Sequence, residues 1–268
     1  MKFLFSIYGL IIFAAIIGGG SIGFMGTFIV GMRISFLGIV ISHAAMAGAI
    51  LGHLLGVAQF PMALLVAAFS TILLGFLMSP DLRRESQATL SILFSLMIGL
   101  VFLLMGMVRD DLTPVMGLMW GSLLFIKPGD LVVMIALSVI MLLFTGIFYK
   151  ELKAILFSRS LSYLSGIPVR LVSMLFFLMV SGVITANLNI MGGLLLYSLI
   201  TCPAAAAYEL GKTLRSTLLL STFFGIISAS VGLWISFFLD LPTGACITLS
   251  SVFIFSLVYW WRKHHPSE

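Results

Sequence analysis

Few residues in this chain could do chemistry, and two of them stand inside one apolar run. The stretch "ISHAAMAGAILGH", residues 41–53, carries His43 and His53; the other two histidines, His264 and His265, close the chain. A histidine in a greasy segment is costly unless paired or hydrated, so by default it marks a pathway for ions or substrate. Neutral imidazole also ligates borderline divalent metals. His43 therefore reads as a pathway residue, with a helix-helix hydrogen bond to Ser42 or a backbone carbonyl as the alternative. Ten residues separate it from His53, almost three helical turns and about 15 Å of rise. On one continuous helix the two cannot share an ion, and His53 reads as a solvated interfacial residue.

The remaining candidates are sparse. Asp240, Asn187 and Asn189 fall where the chain should meet the outer surface. Asp240 either attracts cations there or caps the helix beginning at Pro242 and Thr243. Glu209 sits with Lys212 and Arg215 as a solvated charge cluster. Cys202 and Cys246 lie in apolar context with neither metal spacing nor a disulfide framework, so they read as small buried hydrophobes. The sixteen methionines, among them Met105, Met107, Met116 and Met119, include soft-ligand candidates. None shows ligand spacing near His43, and packing is the preferred reading. No GxxxxGK[ST] loop is present. Whatever energy is used must come from a gradient or from another subunit.

The elements that hold these residues follow from composition. The 268 residues are 61% hydrophobic and 9% charged, with a mean hydropathy of +1.24. Soluble domains run at about 45–50% apolar and about 25% charged. The sequence therefore describes an all-α, polytopic membrane protein, one transmembrane domain over 1–268. The net charge of +5 comes from short basic clusters between apolar runs. That excludes a continuous nucleic-acid face and fits basic cytoplasmic loops. The opening "MKFLFSIYGLIIFAAIIGGGS" mimics a secretory signal, but the apolar pattern runs on to Arg33, so it reads as a retained first span.

At about 20 apolar residues per crossing, candidate spans are 3–32, 34–55, 60–78, 88–108, 130–149, 170–188, 191–208, 216–239 and 243–261. Region 3–55 is ambiguous, because Arg33 interrupts it without room for a loop; eight or nine spans result. The basic segments 79–87, 149–160, 209–216 and the tail from Trp260 are all placed in the cytoplasm, leaving Asp110–Asp111, Asn187–Asn189 and Asp240 outside. Trp260 and Trp261 read as an interfacial anchor. Residues 109–129 are expected to lie in the interface or dip into it. In "SRSLSYLSGI" a short helix is expected with Ser158 as N-cap and Gly166 as its stop, serving as a connector or as a docking knob. The small residues Ala44, Ala45, Ala47, Gly48 and Gly52 suit close helix packing.

Five stretches, in order, resemble a known family. "LGIVISHAAMAGAILG" is similar to L-G-D-A-x-S-H-A-x-L-P-G-x-x-L-G. "LMWGSLLFI", "YKELKAILFSRSLSYLSGIPVR", "MGGLLLYSLITCPAAAAYEL" and "FFLDLPTGACITL" resemble its later segments. The family comprises the membrane permeases of ABC importers for zinc, manganese and related divalent metals. The resemblance implies that fold, a homodimer around a central pathway, cytoplasmic ABC ATPase subunits and an extracytoplasmic metal-binding protein, in the cell inner (plasma) membrane. It implies no enzyme activity and no cofactor bound by this chain, with a divalent metal ion as cargo. Segment 158–167 becomes the coupling helix, with Ser158, Arg159, Leu161, Ser162 and Gly166 facing the ATPase. His43 and Asp240 become metal-contacting residues, with Ser42, Asn187 and Asn189 beside the pathway. Departures are plain: the motif carboxylate falls at Ile39, the motif proline at Ala47, Ser158 replaces the usual Asp, and Glu209 stands where a basic residue is usual. A chelated metal as cargo, or a gradient-driven secondary transporter, are the alternatives. Against the latter, acidic groups are nearly absent from the span centres.

Overall fold

A backbone in lipid must satisfy its own N–H and C=O groups, and local hydrogen bonding in helices does so without partners. The computed structural model describes residues 2–77, 85–109, 113–121, 127–193 and 196–265, and over these it is helical throughout. The helices are α1 (Lys2–Gly31), α2 (Phe36–Leu54), α3 (Gln59–Leu77), α4 (Glu85–Met107), α5 (Thr113–Trp120), α6 (Pro128–Ile147), α7 (Tyr149–Phe157), α8 (Arg159–Leu164), α9 (Val169–Met191), α10 (Leu196–Leu210), α11 (Leu214–Leu239) and α12 (Thr243–His264). Eight of them are long and apolar enough to cross a membrane: α1, α2, α3, α4, α6, α9, α11 and α12.

The ambiguous region 3–55 resolves into two helices and a tight turn. Arg33 adopts a left-handed φ of 60°. Its N–H bonds to Val30, and the N–H of Ile34 reaches back to Ile29 at 3.1 Å. Two crossings thus need only four connecting residues. The glycines of "GGGSIG" do not break α1. They let it approach α11, since a Cβ on Gly23 would collide with the backbone of Ser221, and Ser221 Oγ donates to the Gly23 carbonyl.

The expected span 191–208 is shorter in the structure. Gly192, at φ 78°, ends α9, and Gly193 N–H bonds to Leu118 of α5 at 2.9 Å. Helix α10 begins only at Leu196 and has 15 residues, about 22 Å of rise against a hydrocarbon core of about 30 Å. It starts level with the middle of α2, where Gly193 lies against Met46 and Ser42, and runs beside α12 to the basic end. Ser198 Oγ donates to Thr248 Oγ1 at 3.0 Å near the start of both helices, and Glu209 pairs with Arg262 at 2.9 Å near their ends. Helix α1 runs antiparallel to α11, with Gly23 against Ser221 and Gly19 against Gly225, and α11 is followed by α12 in the reverse direction, so Lys2 and His264 lie toward opposite faces.

One end of the bundle is basic. Arg33, Lys150, Lys153, Arg159, Arg170, Lys212, Arg215, Arg262 and Lys263 all fall at helix ends on that side. Arg170 stacks over Phe76 at 5.2 Å and Arg215 over Tyr149 at 5.8 Å, which places the ends of α3, α9, α7 and α11 at one level. The opposite end carries Arg109, Lys127, Asp130 and Asp240. The positive-inside rule makes the basic end cytoplasmic. Trp260 and Trp261 are exposed there beside Arg262 and Lys263, as an interfacial anchor requires. Asp110 and Asp111 lie outside the described residues. Helices α2 and α9 are central, while α4 and α6 turn Ile92, Leu96, Phe102, Leu103, Ile140 and Leu143 outward. In 109–129, α5 packs Val115 and Leu118 inward, as a short helix dipping into the bundle; residues 122–126 lie outside the described set.

Candidate functional site

Helix α2 holds His43 in a fixed pose. Its small residues bring α3 close: a Cβ on Gly48 would press on the backbone of Met62 and Ala63. The imidazole points instead toward α4, where its ring meets Phe94 edge-on at 5.1 Å between centroids. His43 Nδ1 lies 2.8 Å from the carbonyl of Ile39. A carbonyl only accepts, so Nδ1 carries the proton and the lone pair resides on Nε2. Ligating histidines use this arrangement, one ring nitrogen donating to a backbone carbonyl and the other facing the metal. The side chain is 1% exposed. The hydrogen bond that His43 makes is within its own helix rather than across to a second one, and it leaves Nε2 free of it.

The neighbouring candidates divide. Ser42 is buried and its hydroxyl is spent on the Gly38 carbonyl at 2.8 Å. Ile39 is half-buried, with its carbonyl committed to His43. His53 is half-exposed in the last turn of α2, as expected of an interfacial residue. Asp240 is exposed at the far end of α11, in a left-handed conformation at φ 52° that terminates that helix. It does not cap α12, whose N-cap is Pro242. His43 lies eleven residues below the outer end of α2, about 16 Å, so the structure does not bring His43 and Asp240 together. Asn187, on α9, is buried; its Nδ2 donates to the Val183 carbonyl at 2.8 Å, and its Oδ1 has no partner. That oxygen faces Gly18 of α1, beside the methyl ends of Met134 and Met191. Asn189 is in the same helix, and its side chain lies outside the described residues. Among the described residues no three His, Cys, Asp or Glu side chains gather around a common point. Cys202 and Cys246 are free thiols. Glu209 pairs with Arg262 of α12, a partner 53 positions away, rather than clustering with Lys212 and Arg215.

At the cytoplasmic end, α8 is punctuated as its sequence predicts. Ser158 Oγ accepts from Leu161 N–H at 3.4 Å. Gly166 has φ 80°, and the N–H of Ile167 folds back to Ser162 at 3.1 Å. Ser162 is buried, its hydroxyl donating to the Ser158 carbonyl. Arg159 donates to Ser173 of α9 at 3.1 Å, and burial pushes its guanidinium down to about 10, still fully charged at neutral pH. The helix is thus pinned to the bundle on one side. On the other, Phe157 is 87% exposed and Leu164 79%, with Leu161 and Tyr163 also open. Exposed apolar side chains of this kind mark a surface that meets either a protein or the membrane interface.

Sequence reasoning missed two residues. Phe94 also meets Phe36 edge-on at 5.5 Å, so Phe36, Phe94 and His43 form one stack across α2 and α4. The only signal was the seven-residue spacing of Phe36 and His43, which puts both on one face of α2.

Comparison with known sequences decides the family. A sequence model described as the ABC 3 transport family matches residues 6–262. The chain belongs to the ABC 3 transport family. This ABC 3 permease is 29% identical over 247 residues to the manganese transport system membrane protein MntC of Halalkalibacterium halodurans, covering 92% of this chain and 84% of that one. It is 27% identical over 238 residues to the manganese import system permease protein ScaB of Streptococcus parasanguinis, covering 89% and 84%. Its fold matches PsaBC from Streptococcus pneumoniae, solved in complex with a Fab, with a TM-score of 0.83 and 25% identity over 94% of this chain and 91% of that one. The ABC 3 permease is accordingly a multi-pass membrane protein with the architecture of an ABC metal-transporter permease.

Proposed function

We propose that this permease moves manganese(II) inward across the cell inner membrane, as one of two identical subunits around a shared pathway. An extracytoplasmic metal-binding protein delivers the ion, and separate ABC ATPase subunits drive the cycle from the cytoplasm. The observation that carries the reading is His43: a membrane-buried imidazole whose Nδ1 proton is spent on Ile39, so that Nε2 is set as a ligand. Asp240 attracts the cation at the outer mouth, and Ser42, Asn187 and Asn189 lie beside the route. Segment 158–167 docks into the ATPase through Leu161 and its exposed neighbours, with Ser158 and Gly166 fixing the helix ends. Manganese binds most weakly of the first-row divalent ions to a given ligand set. One imidazole without the carboxylate expected at position 39 makes a site that releases its ion readily, as a conduit needs.

The sparse ligand set also supports a second reading, a chelated metal whose own ligands complete the shell. The permease, reconstituted with its ATPase in liposomes, separates the two. ATP-dependent uptake of free manganese that is lost in His43→Ala supports the ion pathway. Uptake only of a chelate, or uptake indifferent to His43, removes it. Transport without any ATPase would end the importer reading altogether.

A further inference from the structure

A cavity of about 330 Å³ opens at the basic end of the bundle, lined by Val30, Arg33, Ser35, Phe36 and Tyr197. Phe36 belongs to this cavity and also to the aromatic stack that ends on His43. From Phe36 to His43 is seven residues, two turns and about 10.5 Å along one face of α2. Phe94 reaches across from α4 into that interval, 5.5 Å from the Phe36 ring and 5.1 Å from the imidazole, edge-on to both. Neither phenyl ring offers an oxygen, nitrogen or sulfur ligand to a cation, and both contacts in the stack are edge-on. A constriction of this kind closes a pathway by excluding water rather than by filling it with backbone.

We infer that Phe36 and Phe94 are the inner gate of this permease: two rings that part His43 from a cytoplasmic exit vestibule, and whose separation lets the cargo leave. The inference rests on the assignment of His43 to the pathway and adds the residues that control its release. Both rings are half-buried and pack at the margin of the core rather than within it. They come from different helices, so a shift of α4 along α2 parts them together. Arg33 sits in the vestibule just beyond, exposed and at a helix turn. Its charge keeps a cation from resting in the vestibule.

Thiol accessibility tests this without transport. A full-length chain carrying His43→Cys, with Cys202→Ser and Cys246→Ser, is placed in inverted membrane vesicles and treated with a membrane-impermeant thiol reagent. With Phe36 and Phe94 intact, modification is slow. Phe94→Ala or Phe36→Ala is expected to speed it by about tenfold or more, equivalent to about 1.4 kcal/mol off the barrier. Phe94→Leu should give a smaller rise, and Phe94→Trp none. Right-side-out vesicles should show no rise in any variant. A control thiol at Ser228→Cys, buried in α11, should stay protected throughout. Unchanged rates in both alanine variants overturn the gate, as does an equal rise from both faces or at the control position. Because neither ATP nor metal enters the assay, a protein that shows this pattern but fails to import manganese keeps its gate and loses the cargo assignment. One that imports manganese without the pattern keeps the cargo and loses the gate.

Discussion

His43, inside α2, and Asn187, four residues from the outer end of α9, are two buried polar side chains of one bundle, and both spend a donor on the carbonyl four residues back. Their remaining acceptors face different surroundings. The imidazole lies against a half-buried phenyl ring that can move. The Asn187 oxygen lies against Gly18 of α1, beside the methyl ends of two fully buried methionines, Met134 and Met191. Burial and a free lone pair therefore do not by themselves make a binding position. What distinguishes the two is whether the cover belongs to the packed core or to a side chain at its margin.

Substitutions can break this contrast. The largest effect is expected from Gly18→Val: its branched side chain must displace Asn187 and Met191, costing about 3 kcal/mol by overpacking, read as failure to accumulate in membranes or a sharply lower melting temperature in detergent. If Gly18→Val is tolerated, the Asn187 pocket is not sealed. His43→Ala should next lower ATP-driven uptake by about tenfold or more, the scale of disrupting a metal's ligand shell, with a fall in melting temperature from the buried ring it removes. Asn187→Leu is the counterpart. It removes an unpartnered buried oxygen at similar volume, so stability should hold or rise, with uptake within about twofold of the parent; a loss as large as that of His43→Ala would put Asn187 in the pathway. Ile39→Asp sharpens the comparison from the other side. A carboxylate one turn from the imidazole should tighten manganese binding by about tenfold, about 1.4 kcal/mol, and slow turnover, measurable by calorimetry beside single-cycle uptake. The smallest change belongs to Glu209→Gln. Its ion pair with Arg262 is partly exposed on both sides, so no more than about 0.5 kcal/mol is expected in a thermal melt.

What was legible in the sequence was local. Ser158 and Gly166 announce the ends of α8 because capping chemistry is read within a few residues, and the structure uses both as written. The apolar runs announce the spans because lipid demands about the same length of each. The turn at Arg33 was not legible, since a left-handed arginine leaves no compositional mark. Nor was the shortness of α10: hydropathy runs unbroken through residues 191–195, and only the backbone at Gly192, docked onto α5, shows that the helix has already stopped. Partners distant in sequence were hidden altogether. Glu209 looked toward Lys212 and Arg215 because they are near in sequence, yet its cation comes from α12. Phe94 carried no motif and gained meaning only when α4 was laid beside α2.

Helix ends on opposite faces give the polypeptide a handedness across the bilayer. A reporter enzyme fused ahead of Lys2 and one fused after His265 would be delivered to different compartments, one oxidising and one reducing. For α1 this means that its leading end crosses while Arg33, at the trailing end, holds the cytoplasmic side.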